Sequence, residues 1–138
     1  MRVYLDVSCL NRPFDDQSQA RVRAESEAVT QILEECELGD WQQVSSEMAK
    51  IEISAMPNVD RRARVRALLP DEDVLELSAD IYARAKELET IGLKAADAVH
   101  VAAAETLEVD VFLSCDDRLC KLAKRRRAEI KVKVGNPL

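Results

Sequence analysis

Four acidic residues lie in four separate segments of the chain, three of them at points where a predicted strand ends or a predicted helix begins. Asp6 lies in YLDVSCLN, Glu52 in KIEISAM, Asp97 in LKAADAVHVAAAE and Asp116 in VFLSCDD. Carboxylates held close together repel one another unless a cation neutralises them. An all-oxygen set without Cys or His suits Mg²⁺ or Mn²⁺, ions that bind phosphates and activate water. If the fold brings the four together, the predicted chemistry is hydrolysis of a phosphodiester.

Most of these acids also have a local explanation. A strand-end Asp such as Asp6 often forms a turn. Asp97 lies in the first turn of its helix, where the helix dipole stabilises a carboxylate by a few tenths to about 1 kcal/mol. One of the adjacent pair Asp116 and Asp117 is expected to cap a helix, so Asp117 could share or replace the role of Asp116. Glu52 lies further inside its helix and has no such local role.

Two serines and a histidine lie near these acids. Ser8 follows Asp6 by two residues and could hydrogen-bond its carboxylate or a bound water. Ser114 ends a predicted strand and could equally bond the backbone. His100 follows Asp97 by three residues, on roughly the same side of the helix. A lone His on an apolar helix is more often a hydrogen-bonded core residue than a ligand, so we interpret all three as supporting residues.

The chain is acidic overall but basic near its end. Its net charge is −6, which argues against a general nucleic-acid coat protein, yet residues 118–133 hold eight Lys or Arg and one acidic residue. Arg118, Lys121 and Lys124 lie on the helix that leaves Asp116, where they could draw a phosphate backbone toward the acids. A solvated helix face is the alternative for each of them.

Short strands alternate with helices along the whole chain. This order is typical of an α/β sandwich around a mainly parallel sheet, in which ligands bind beyond the carboxyl ends of the strands. We predict one domain over residues 1–138. The predicted strands are 2–7, 41–46, 110–114 and 129–134, and the predicted helices are 20–38, 47–56, 58–69, 72–92 with an extended entry, 93–107 and 116–127.

Composition sets further limits. Apolar residues make up 47% of the 138 residues but aromatic residues only 4%, so the core must consist mainly of Ala, Val, Leu and Ile. The four cysteines form no C-x-x-C pair, and we expect them to be reduced and packed as small apolar residues. No run is long and apolar enough to span a bilayer and no signal peptide is evident, so we expect a cytoplasmic protein.

Four stretches in chain order resemble the motifs of PIN-domain nucleases, a family that includes the VapC-type toxins of toxin–antitoxin pairs. They are VYLDVSCLN, VSSEMAKIEI, LKAADAVHVAAA and VFLSCDDRLC. The resemblance implies a Rossmann-like three-layer α/β/α sandwich with a parallel sheet. It also implies metal-dependent endonucleolytic cleavage of RNA, a homodimer, and an antitoxin protein as partner.

The same resemblance implies a role for each acid. Asp6, Asp97 and Asp116 match the acids that hold Mg²⁺ or Mn²⁺, and Glu52 matches a further ligand or water-positioning base. The middle segment DRRARVRALL is not diagnostic, and the RNA target is not readable from the sequence.

Other functions stay open at this point. A haloacid-dehalogenase-like phosphatase would have a second Asp two residues after Asp6, where this chain has Ser8. A response-regulator receiver would have an acidic pair before its phosphorylated Asp and a late strand-end Lys, and neither is clear. The alternative from another class is a catalytically weak PIN-like module that only pairs with a partner protein. The four acids in place oppose that alternative without removing it.

Overall fold

The computed structural model describes all 138 residues and contains one five-stranded sheet. All neighbouring strands are parallel, in the order β3-β2-β1-β4-β5. Tyr4 of the central strand pairs in register with Val44 on one side and Phe112 on the other. The strands are β1 (Arg2–Leu5), β2 (Gln42–Ser46), β3 (Val74–Leu75), β4 (Val111–Leu113) and β5 (Val134–Gly135).

Seven helices cover the two faces of the sheet. The apolar side chains of α5, α6 and α7 pack with Tyr4 and Phe112 on one face. Those of α1 to α4 pack with Val3 and Leu5 on the other. The predicted three-layer α/β/α sandwich is therefore confirmed. The helices are α1 (Val7–Asn11), α2 (Ala20–Glu37), α3 (Glu47–Ser54), α4 (Val59–Arg66), α5 (Ala79–Thr90), α6 (Ala95–Thr106) and α7 (Asp117–Arg125).

Capping residues set several helix boundaries. Ser46, Asn58, Ser78 and Asp116 each accept a backbone N–H from the first turn of the helix that follows, which satisfies donors that the helix leaves unpaired. Gly92 follows α5 with a φ of 114°, and Leu122 methyl groups lie 3.4 Å from where a Cβ would stand. A larger residue there would meet both backbone strain and a packed core.

Small residues let α6 pack closely against the sheet. Ala98, Ala102, Ala103 and Ala104 are at most 1% exposed, and close approach of the helix is possible because none of them extends beyond Cβ. This helix carries Asp97 in its first turn.

One local prediction is wrong and one short helix was missed. The segment 129–134 is not a strand, because a 3₁₀ turn occupies Arg127–Glu129 and β5 comprises only Val134–Gly135. The short helix α1 is separated from β1 by a single residue and was not predicted, since five residues are too few to show a helical period. The extended entry predicted for residues 72–92 is confirmed, because Val74–Leu75 form β3, which pairs with β2. None of the helices is both long and apolar enough to cross a membrane.

Candidate active site

The four predicted acids converge at the carboxyl edge of the sheet. Asp6 directly follows β1, and Asp116 lies three residues after β4, the neighbouring parallel strand. The first turn of α6 supplies Asp97, and α3 supplies Glu52. The charges of Asp6, Asp116 and Glu52 all act on Asp97, so this edge holds a single acidic centre.

Two serines orient the Asp6 carboxylate, which is buried. Ser8 Oγ and Ser114 Oγ each donate to Asp6 Oδ2 at 2.8 Å. The same two oxygens accept the backbone N–H groups of Cys115 and Asp116, each at 3.0 Å. Asp6 is thereby tied to the turn between β4 and α7. Ser8 makes the hydrogen bond predicted for it, and Ser114 bonds both the carboxylate and the backbone.

Asp97 has an unfavourable electrostatic position. Partial burial, and then the negative charges of Asp6 and Asp116, raise the pKa of Asp97 to about 6, although His100 acts in the opposite direction. A helix-start Asp stabilised mainly by the dipole would have its pKa lowered. The dipole explanation therefore does not account for this residue, whereas burial together with repulsion from the neighbouring acids does.

The adjacent acids Asp116 and Asp117 have different surroundings. Asp116 Oδ1 caps α7 by accepting from the backbone N–H groups of Arg118 and Leu119 at 3.0 and 3.3 Å. Asp117 is exposed and forms a two-bond ion pair with Arg21, with Arg21 Nη1 at 2.8 Å from Oδ2. Only Asp116 lines the same small depression as Asp97.

Glu52 is held by a buried hydrogen-bonded chain. Its Oε1 contacts His100 Nε2, and His100 Nδ1 lies 2.6 Å from the Tyr4 hydroxyl, which lies 2.7 Å from Ser46 Oγ. Burial lowers the pKa of His100, but the Glu52 contact and the negative charges around it outweigh burial and raise that pKa overall. His100 is thus a hydrogen-bonded core residue, as expected. The other glutamate of α3, Glu47, instead accepts the backbone N–H of Leu77 at 2.7 Å.

The predicted cations lie on the two flanks of α7. Arg118 and Lys94 line the depression that contains Asp97 and Asp116. Lys121 is exposed, and after Arg21 it contributes to the lowered pKa of Asp117. Lys124 lies on the opposite flank, in a groove against β5 with Arg127 and Lys133. Arg118, Lys121 and Lys124 are therefore not one continuous surface facing the acids.

The donor set fits a hard divalent cation. Asp6 Oδ1 and Asp116 Oδ2 make no hydrogen bond, and the Asp97 carboxylate has no hydrogen-bond partner. Carboxylate oxygens without partners, at a point of mutual repulsion, are the ligands that Mg²⁺ and Mn²⁺ take. No group of three His, Cys, Asp or Glu side chains is arranged to hold an ion as it stands, so binding would draw the acids closer together.

Sequence reasoning missed how Tyr4 takes part. Tyr4 is fully buried in the central strand, and burial is the largest cause that raises its pKa. A Tyr inside an apolar strand needs a partner for its hydroxyl, and that need was the available signal. The four cysteines are free, as expected, and Cys9 and Cys115 are buried.

Comparisons with known proteins agree with this fold. A family model described as "PIN domain" matches residues 3–125. The crystal structure of FitAcB from Neisseria gonorrhoeae aligns with a TM-score of 0.62 at 18% identity, over 98% of this chain and 97% of that one. VapBC2 from Rickettsia felis, bound to a DNA fragment from their promoter, aligns with a TM-score of 0.65 at 13% identity, over 97% and 98%. No curated protein matches the sequence. At these identities the two structures establish a shared fold.

Proposed function

The chain belongs to the PIN-domain family, and we propose that it is a Mg²⁺- or Mn²⁺-dependent endoribonuclease, the toxin of a toxin–antitoxin pair. The observation that carries the proposal is the convergence of Asp6, Asp97 and Asp116, where partial burial and then the charges of the two neighbours raise the pKa of Asp97 to about 6. Such a concentration of negative charge is unfavourable for the folded protein. Strongly shifted pKa values of this kind cluster at functional sites.

The three aspartates would hold the metal. A bound Mg²⁺ or Mn²⁺ would neutralise their repulsion, polarise a phosphate oxygen and make a nearby water more acidic. Ser8 and Ser114 fix one oxygen of Asp6 and leave the other for the ion. Glu52, with Oε1 engaged by His100, keeps Oε2 for a water or the ion. Asp116 contributes its second oxygen while the first caps α7.

RNA is the proposed substrate, bound through its phosphates. Arg118 and Lys94 line the depression beside Asp97 and Asp116, so each could contact a phosphate there. Lys121 and Lys124 would contact phosphates of the RNA further along α7. These cations offset the repulsion that an acidic centre would otherwise exert on a polyanion.

The cellular role follows by analogy with the two solved complexes. Each of them, FitAcB and VapBC2, is a complex of a chain of this fold with a second protein. We propose an antitoxin protein as the partner of this chain, a homodimer as its oligomeric state, and the cytoplasm as its location. A short reading frame next to this one would supply the antitoxin, and co-expression followed by co-purification tests the pairing.

RNA cleavage by the purified protein tests the activity. We expect cleavage of single-stranded RNA with Mn²⁺ or Mg²⁺ and none with EDTA, with Asp6→Asn and Asp97→Asn at least about 100-fold slower. Asp117→Asn is the matched control, because it removes an adjacent carboxylate that pairs with Arg21 at the surface. It should cleave at nearly the native rate.

Two results would contradict the proposal. Cleavage that survives both Asp6→Asn and Asp97→Asn would come from another site or a contaminant. If the protein fails to cleave under every metal condition but binds a partner protein, it is the pairing module instead. Calorimetric titration with Mn²⁺ separates these cases, since a working site binds the ion and Asp97→Asn weakens that binding.

A further inference from the structure

We infer that His100 is a positioning residue for the proposed reaction: it holds Glu52 in its working orientation through Nε2, and the Tyr4–Ser46 pair holds His100 in turn. This inference rests on the proposed function and concerns the geometry of its fourth acid. Glu52 Oε1 contacts His100 Nε2, and no other hydrogen bond is formed by the Glu52 side chain. The contact with His100 is thus the only hydrogen bond that orients the Glu52 carboxylate.

Glu52 needs such support more than the aspartates do. Its side chain is 32% exposed and has three rotatable bonds, so in water it would sample many orientations. Asp6 is short, buried and bonded by two serines, and Asp116 is bonded to two backbone N–H groups. Each of these two acids is oriented by its own hydrogen-bond donors, and His100 has that role for Glu52.

The available acceptors determine the direction in which hydrogen bonds are donated along the series Ser46, Tyr4, His100 and Glu52. The backbone N–H of Met48 donates to Ser46 Oγ at 3.3 Å, so the buried Ser46 hydroxyl hydrogen has only the Tyr4 oxygen as acceptor. In the neutral ring, the Tyr4 hydrogen then goes to His100 Nδ1, which accepts it. Nε2 therefore carries the ring proton and donates it to Glu52. In this arrangement each hydroxyl group and the ring N–H of the series has a hydrogen-bond acceptor.

Core packing by itself does not require this chemistry. His100 is fully buried next to Tyr4 and Phe112, a place where an aliphatic side chain would fill the same space. A buried polar ring is unfavourable unless both nitrogens are bonded. The two partners lie on opposite sides of the ring, one in the core and one at the acidic centre. The ring therefore transmits the rigidity of β1 and β2 to a side chain of α3.

The position of His100 on α6 also links the orientation of Glu52 to the position of Asp97. His100 lies one turn after Asp97 on α6, so one helix carries Asp97 and the group that orients Glu52. A shift of α6 would move both at once. For this reason we expect loss of the His100 contact to affect the rate more than the binding of RNA.

Substitution of His100 by Gln or by Asn distinguishes the contact at Nε2 from the contact at Nδ1. Gln at position 100 keeps a donor near the place of Nε2, whereas Asn reaches only the place of Nδ1. We expect His100→Asn to lower kcat about 10- to 100-fold, the range typical when a partner that orients a site residue is removed. His100→Gln should recover most of the rate. KM for RNA should change less than about threefold in both.

A double-mutant cycle shows whether His100 acts through Glu52. In a Glu52→Ala background, His100→Asn should cause no further loss of kcat, because there is no carboxylate left to orient. If the losses multiply instead, His100 acts by another route and the inference is wrong. If His100→Asn cleaves as fast as the native protein while Asp6→Asn does not cleave, the inference fails and the proposed function stands. If the native protein does not cleave, the proposed function itself fails.

Nitrogen NMR gives a readout that needs neither metal nor RNA. His100 is the only histidine of the chain, so its ring gives a single set of signals. We expect a proton on Nε2 that exchanges slowly with solvent, and faster exchange in Glu52→Ala. An unprotonated Nε2, or exchange unchanged by Glu52→Ala, would overturn the inference even if the His100 variants do not fold.

Discussion

At the scale of single residues, opposed forces act on the acidic centre. Asp97 is partly buried beside Asp6 and Asp116, and its raised pKa shows that the folded protein disfavours its charge. Asp6 and Glu52 have hydrogen-bond donors that Asp97 lacks. Function and stability therefore conflict most strongly at Asp97, and a substitution there should separate them.

We predict that Asp97→Asn abolishes cleavage and stabilises the metal-free protein. The folded-state pKa of about 6 is above the ordinary value of 3.8, so the favourable contribution of the protonated group is complete below about pH 4 and is lost as pH rises through 6. At pH 7 the variant should be more stable by about 1 kcal/mol, after allowance for solvent screening.

Chemical denaturation at pH 4, 6 and 8 without metal measures this difference. The gap between variant and native protein should grow across that range and shrink when Mn²⁺ is added to the native protein. A variant that is less stable than the native protein at pH 8 would show that Asp97 is not in a repulsive environment.

The adjacent residues Ser45 and Ser46 should respond oppositely to Ala. Ser45 Oγ is buried without any hydrogen-bond partner, so Ser45→Ala should be neutral or stabilising by up to about 1 kcal/mol. Ser46 caps α3 and bonds Tyr4, so Ser46→Ala should destabilise by about 1–2 kcal/mol. Urea denaturation compares the two directly, and equal effects would contradict the hydrogen bonds described here.

At the scale of elements, α6 determines how closely the acids approach one another. Its buried face is mostly alanine, and it packs against both the sheet and α5. Close packing of this helix lets a residue as short as Asp97 interact with Asp6 across the sheet edge. The alanines are thus part of the site even though they have no chemistry of their own.

We predict that Ala102→Leu destabilises the protein by about 1–3 kcal/mol, because a close-packed core has no room for three more carbon atoms. It should also weaken Mn²⁺ binding, since α6 can accommodate the larger side chain only by moving away from the sheet. Ala83→Leu is the control, because Ala83 is exposed on α5. Thermal denaturation and calorimetric Mn²⁺ titration check both effects.

At the scale of the whole molecule, charge is distributed unevenly around the acidic centre. The chain has a net charge of −6, whereas α7 and the segment after it are strongly basic. Lys124, Arg127 and Lys133 line a groove between α7 and β5, and none of them is in an ion pair. A polyanion that extends from the acids past α7 would meet this second group of unpaired cations.

We predict that Lys124→Gln, Arg127→Gln and Lys133→Gln combined raise the KM for RNA and leave kcat nearly unchanged. If each cation contacts one phosphate, the salt dependence of RNA binding should lose about 2 units of slope, since each phosphate contact on a single strand contributes about 0.7. Fluorescence anisotropy at several salt concentrations measures this slope.

A control with the same change in net charge is available on other helices. Arg64, Arg66 and Lys86 are exposed on α4 and α5 and form no ion pair, and their combined change to Gln should leave the slope close to native. An equal loss in both triple variants would mean that net charge, and not the groove, attracts the RNA.

The fold and the strand-end positions of Asp6 and Asp116 were predictable from the sequence, because both follow from local patterns. Alternating strand and helix segments define a parallel sandwich, and chain order places Asp6 and Asp116 after strands. Strand 129–134 was overestimated because an alternating pattern shows strand potential, whereas strand length depends on which neighbour is available. Only β4 lies beside β5, and its pairing ends within two residues.

The sequence by itself determined the layer order, the all-oxygen donor set and the basic region, since these depend on residue type and period. Only the tertiary structure decided that Asp116, and not Asp117, shares a depression with Asp97, and that His100 contacts Glu52. His100 of α6 contacts both Glu52 of α3 and Tyr4 of β1, although Tyr4 and His100 are 96 residues apart in sequence. Hydrogen bonds of this kind depend on distances of a few ångströms between packed elements, which no local pattern in the chain specifies.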